Sequence, residues 1–238
     1  MIPFKITHIN IIKNIINILI VTFIFSKVCN AKEANIKNID IANGLYYQKD
    51  TKNLYSGKIT GNLQVEIIEG KKEGRCLKFY SDGKILSRAY YINNILEGQL
   101  IEYYNNGNVL RKINFKKGML DGIYLDYYQM GQLLNKKYYL QGKLEGQALT
   151  YYKNGQLQSK IFYKNGKYNG EYLIFHEYEI DEVVQLKIER YFKEGIAEGL
   201  YTEYHENGKL RATGEYKNGK LEGEYKKYLR TGELDKVF

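Results

Sequence analysis

Proline is nearly missing from this chain: one in 238 residues, at Pro3. A chain without proline can run strand after strand and keep every ladder donor. Tryptophan is absent, and the aromatic content rests on 25 tyrosines and nine phenylalanines. Two cysteines, Cys29 and Cys76, exclude a disulfide scaffold and a thiolate zinc site. Acid is in deficit, giving a formal charge of +9. The lysines are spread along the chain, not clustered, so this excess aids solubility and favours an anionic surface without arguing for nucleic acid. Beyond residue 31 no long apolar run occurs.

The first 31 residues differ in kind. MIPFKITHINIIKN carries Lys5 and Lys13 and no acid, and the apolar run Ile15–Phe25 follows. SKVCNA then leads to Lys32. A basic start, a short apolar run and a small residue at the end predict a signal peptide cleaved after Ala31. The run is short for a spanning helix, which needs about 20 apolar residues. Lys27 and Val28 stand where a lipidation box before Cys29 would want Leu and small residues. Removal of 1–31 takes away three lysines and leaves +6.

What is present in excess is a period. Glycine recurs at 74, 98, 122, 146, 170, 199 and 223, with gaps of 24 residues broken once by 29. Nine residues on, a second glycine follows at 83, 107, 131, 155, 208 and 232. Inside a unit the third and fifth residues after the first glycine are apolar or aromatic, as in Leu77 and Phe79 or Ile101 and Tyr103. The residues between them, such as Lys78, Glu102, Asp126 and Thr150, are mixed. Alternation over this length predicts strands. Asp-Gly and Asn-Gly in Ser-Asp-Gly-Lys and Lys-Asn-Gly-Gln fit tight hairpin turns, which demand positive φ. The other connection, Asn-Gly-Lys-Leu-Glu-Gly, reads as longer. The predicted fold is therefore all-β: an elongated antiparallel meander of repeated hairpins in a single twisted sheet. Two strands advance it about 9.6 Å per repeat, roughly 60–70 Å in all. The expected organisation is a signal peptide at 1–31, a loose leader at 32–44, an N-terminal capping unit at 45–73 and the repeat array at 74–238.

The unit, clearest at Gly146–Gly170 and Gly199–Gly223, resembles the MORN-repeat variant of bacterial proteins. It looks like the YwqK-type, antitoxin-like family. The resemblance covers the chain from about Gly57 onward. It implies neutralisation or scaffolding of another protein by binding, and elsewhere MORN repeats are linked to phospholipid contact.

No enzyme chemistry is expected. The glycines sit in turns and never open a helix, so no phosphate loop or dinucleotide site is read. His176 and His205 stand where Tyr80, Tyr104, Tyr128 and Tyr152 stand in other units. About 10 Å apart, they are too distant to share one metal, and they read as replacements of tyrosine. Cys76 reads as an inert strand residue. Neither a cofactor nor a metal is expected. The tyrosine rows have two readings: cross-strand pairs within the sheet, or a stacking platform for peptide, sugar or, least expected for an exported protein, single-stranded nucleic acid.

The unit from Gly170 to Gly199 carries five extra residues. Its alternation predicts a longer hairpin turning near residues 181–183. Glu177, Glu179, Asp181 and Glu182 form an acidic tip with Tyr178 and Ile180, and these six are the candidate partner-binding residues. The expected role is that of an exported, non-enzymatic protein that binds another protein in an antitoxin-like, immunity-like or scaffolding capacity. The alternative is a cell-envelope scaffold that contacts lipid head groups or glycans. Nucleic acid is not an expected partner.

Overall fold

The computed structural model describes residues 32–177 and 185–238. Among them there is no α-helix, and one sheet runs the length of the array. Its strands pair with their chain neighbours, all antiparallel except the first, Glu33–Asn35, which lies parallel to Gly57–Thr60. The expected meander is what the sequence folds into.

The unit that starts at Gly98 shows how. Its strands Gly98–Tyr103 and Val109–Lys116 pair through Leu100 with Ile113 and Ile101 with Lys112. Between them Tyr104 N–H donates to Asn108 O and Gly107 N–H to Tyr104 O. Only Gly107 in this loop has positive φ, at 89°. The geometry is a three-residue loop, a type I turn closed by a glycine in a left-handed bulge. The next strand, Met119–Tyr127, is reached through Lys117 and Gly118, both at positive φ, 52° and 77°. That is a two-residue type I′ turn.

The two connections thus exchange the roles expected for them. The Asn-Gly-Lys-Leu-Glu-Gly segment is the tight turn, and Ser-Asp-Gly-Lys holds the three-residue loop. Asn-Gly-Lys-Leu-Glu-Gly looked long because its second glycine belongs to the following strand. There Glu97 and Gly98, like Asp121 and Gly122, form a bulge, with Gly98 at φ 73° and Gly122 at φ 110°. The bulge explains the acid before the glycine. Glu97 accepts the Lys117 N–H of the next turn at 2.7 Å, and Glu73, Glu145 and Glu198 do the same for Asn93, Asn165 and Asn218. Each unit caps the turn of its successor.

A second clasp lies at the opposite end of the unit. Tyr80, Tyr104, Tyr128 and Tyr152 each donate a phenolic hydrogen bond to a carbonyl in the next unit, at Tyr103, Tyr127, Tyr151 and Phe175.

The two faces of the sheet differ. Even positions after the bulge glycine share a face with Ser87, Ala89, Ile113, Ser159 and Ala212, and this face is the better covered: Cys76, Asp126 and Ala148 are buried on it. Its rings pack on one another, with Tyr163, Tyr168, Tyr172 and Phe192 at centroid distances of 5.1–5.6 Å. Here the tyrosines are cross-strand glue. Polar groups on this face also pair: Arg111 bridges Glu102 and Asp126, and Asp126 accepts from Tyr124 and Asn135. Of the positions that looked mixed in sequence, Glu102, Asp126 and Thr150 are therefore covered by their neighbours, whereas Lys78 is exposed. Cys76 is buried, and burial pushes its thiol pKa up, so it is a poor nucleophile.

The continuous buried core sits at the N-terminal end. Tyr46, Tyr55, Ile59, Val65 and Ile67 pack there against Cys76 and Ala89. Tyr55 donates its hydroxyl to Lys32 O at 2.7 Å, and Ile39 joins the core. The stretch 32–44, expected as a loose leader, is thus built into the fold. Its apolar residues Ala34, Ile36 and Ile39 cover the first strands of the described array.

Candidate binding surface

Odd positions after the bulge glycine make the second, more open face. Cross-strand register sets a row across it: Leu77 pairs with Arg88, Arg88 with Ile101, and Ile101 with Lys112. Lys112 pairs with Leu125, Leu125 with Lys136, Lys136 with Leu149, and Leu149 with Lys160. Aliphatic and cationic side chains therefore alternate strand by strand, with one cation per unit. The row changes character at Glu189, which pairs with Leu173 and Thr202.

Beside the cations runs a row of rings, Phe79, Tyr103, Tyr127, Tyr151 and Phe175, each opposite an aliphatic residue such as Val109 or Leu133. The Arg88 guanidinium stands 5.5 Å from the Tyr103 ring centre and the Lys112 ammonium 6.0 Å from that of Tyr127. Such contacts hold a cation in place without neutralising it. At the start of the row a hollow of about 450 Å³ opens between Arg75, Arg88, Tyr90 and Gln99.

Toward the type I′ turns the same face exposes large apolar side chains. Ile92, Ile95, Met119, Ile123, Tyr138 and Leu140 are each 43–49% exposed, and Ile123 pairs directly with Tyr138.

The long unit is regular up to its loop. Strands Lys167–Phe175 and Leu186–Lys193 pair, and His176 N–H donates to Gln185 O at 3.0 Å. The extra residues lie entirely between those two. Glu177 is exposed; Tyr178, Glu179, Ile180, Asp181 and Glu182 lie outside the described residues, as do Ala31 and the whole segment 1–31. His176 and His205 take over the tyrosine clasp: each Nε2 approaches a carbonyl of the next unit, Tyr204 O at 3.1 Å and Tyr228 O at 3.0 Å. A carbonyl only accepts, so each Nε2 carries the proton and donates. The cation row was not found in the sequence. Its signal was there, Arg88, Lys112, Lys136 and Lys160 at intervals of 24, but it was lost among other lysines.

Residues 72–93, 96–117, 144–165 and 197–218 match the family model of the MORN repeat variant. Each matched window opens two residues before a bulge glycine and closes on the first residue of a type I′ turn, so it spans one bulge, one three-residue loop and two strands. The chain is thus a repeat protein carrying MORN-variant units. No curated protein matches it.

Proposed function

We propose that the chain is an exported, non-enzymatic repeat protein that binds another protein through the open face of its sheet. The observation that carries this reading is the exposed apolar group Ile92, Ile95, Met119, Ile123, Tyr138 and Leu140. Grouped apolar exposure on a rigid, hydrogen-bonded support is the usual mark of an interaction site. The opposite face has its rings and charges already engaged with one another. The resemblance to antitoxin-like proteins supports a toxin or an envelope protein as the partner. The acidic insertion that begins at Glu177 and includes Tyr178–Glu182 would add specificity at one end of the surface.

The decisive experiment compares capture from the native envelope fraction by the wild type and by Ile123→Lys/Tyr138→Glu. A protein held by the wild type and lost by the folded variant supports the reading, and equal recovery refutes it. Export is tested by intact mass of protein recovered from envelope or medium, with Lys32 expected as the mature N-terminus. Retention of residues 1–31 would refute cleavage.

A second reading, an envelope scaffold that contacts lipid head groups or glycans, is favoured by the cation row.

A further inference from the structure

We infer that the row Arg88, Lys112, Lys136 and Lys160, with Arg75 at its head, is a linear subsite for an acidic polysaccharide laid along the long axis of the array. This rests on the second reading above and names its ligand.

Three observations carry it. The first is charge that is left over. Between residues 71 and 165 there are seven acids, and each is engaged elsewhere. Glu73, Glu97, Asp121 and Glu145 cap turns. Asp82 pairs with Lys84 in its own loop, and Glu102 and Asp126 hold Arg111 on the opposite face. Among the described residues Arg88, Lys112 and Lys136 have no ion pair, and Lys160 has one, with Glu171 at 2.9 Å. Arg88, Lys112 and Lys136 are therefore an uncompensated line of positive charge, which Lys160, paired with Glu171, closes. It ends where Glu171 and Glu189 begin.

The second observation is the interval. Every other strand contributes a cation, so the charges recur about every 10 Å. A polymer with one carboxylate per disaccharide presents its anions at close to that interval, and each sugar unit in between meets an aliphatic side chain and the edge of a ring. A nucleic-acid strand carries its charges far more densely, about 3.4 Å apart along a duplex axis, and would leave most of them unmatched. A fluid bilayer has no interval to match.

The third is the hollow at the head of the row. It offers two guanidiniums for a carboxylate, the half-exposed ring of Tyr90 for a sugar face and the Gln99 amide for a hydroxyl. Arg75 and Tyr90 are cross-strand partners, so charge and ring are held side by side.

The test uses the full mature chain and oligosaccharides of alternating glucuronic acid and N-acetylhexosamine, from one to four disaccharides long. Comparison probes are a neutral chitin oligosaccharide, vesicles of phosphatidylcholine with phosphatidylglycerol, and oligodeoxythymidylate. Affinity should rise with each added disaccharide and fall with salt. The double variant Arg88→Glu/Lys136→Glu, both at exposed positions, should lose at least about tenfold. The milder Arg88→Gln/Lys136→Gln guards against misfolding and should fall in between. Lys193→Glu, exposed on a distal unit, should change nothing. Binding without length dependence, equal binding of the neutral oligomer, or a double variant that binds like wild type would overturn the proposal. Vesicles or oligodeoxythymidylate bound more tightly than the uronates, and lost in the same variant, would also overturn it; the vesicle result would leave the lipid form of the second reading standing. Failure of every probe would remove both.

Discussion

Replacing Tyr104, Tyr128 and Tyr152 by phenylalanine together removes three clasps between units and leaves the rings in place. Each lost hydroxyl had donated to a part-buried carbonyl at 2.8–2.9 Å. A hydrogen bond of this kind contributes about 0.5–1.5 kcal/mol net. The three sites are about one repeat apart, near the distance beyond which effects add, so the triple variant should lose about 1.5–4.5 kcal/mol. At about 2–4 °C per kcal/mol for a chain of this size, the fall in Tm is about 3–18 °C. Circular dichroism melts measure it, and amide exchange should place the loosening at the receiving strands. The histidines supply the control. His205→Phe should cost what one tyrosine clasp costs, whereas His205→Tyr should keep the bond to Tyr228 O. A triple variant that melts with the wild type would refute the clasp. So would a His205→Tyr protein as unstable as His205→Phe.

Gly155 sits at φ 87° with open space around its Cα, so Gly155→Val should lose about 1–3 kcal/mol from backbone strain alone, read from denaturant midpoints. Gly214 has ordinary φ, but a Cβ there would lie 2.9 Å from Leu221 and from Tyr225; Gly214→Ala should therefore destabilise for steric reasons, and Leu221→Ala should partly rescue it. Burial pushes Tyr124 and Tyr163 up to about 12, which favours the neutral phenol in the folded chain. Stability should then be full below pH 10 and fall as pH rises toward about 12; a single tyrosinate absorbance step near the ordinary value would contradict this. Excision of residues 122–145 should leave a shorter folded array, since among the described residues the main strand contacts run between neighbours along the sheet, and circular dichroism would show its loss. With a captured partner in hand, replacing residues 177–184 by a three-residue Asn-Gly loop should weaken binding, and unchanged affinity would remove the acidic tip from the site.

The sequence by itself determined the period, the strand class and the meander. Glycine spacing and two-residue alternation are local properties, and type I′ turns and bulges demand their own residues wherever they occur. It also marked His176 and His205 as stand-ins for tyrosine. It could not tell which face would be covered. Lys78, Glu102, Asp126 and Thr150 read only as mixed because a single strand shows only its own alternation, yet Lys78 is exposed and Asp126 is buried. Burial is decided by what the neighbouring strands place alongside, and Asp126 is covered because Arg111, Tyr124 and Asn135 surround it. Nor could it show that 32–44 would be ordered, since those residues are held by a core contributed from 46 to 89. The cation row is the clearest case. Arg88 and Lys160 are 72 residues apart in the chain, and only the register of the strands between them, with a bulge in each unit, puts them on one line. A one-residue shift in any pair would have sent a cation to the other face.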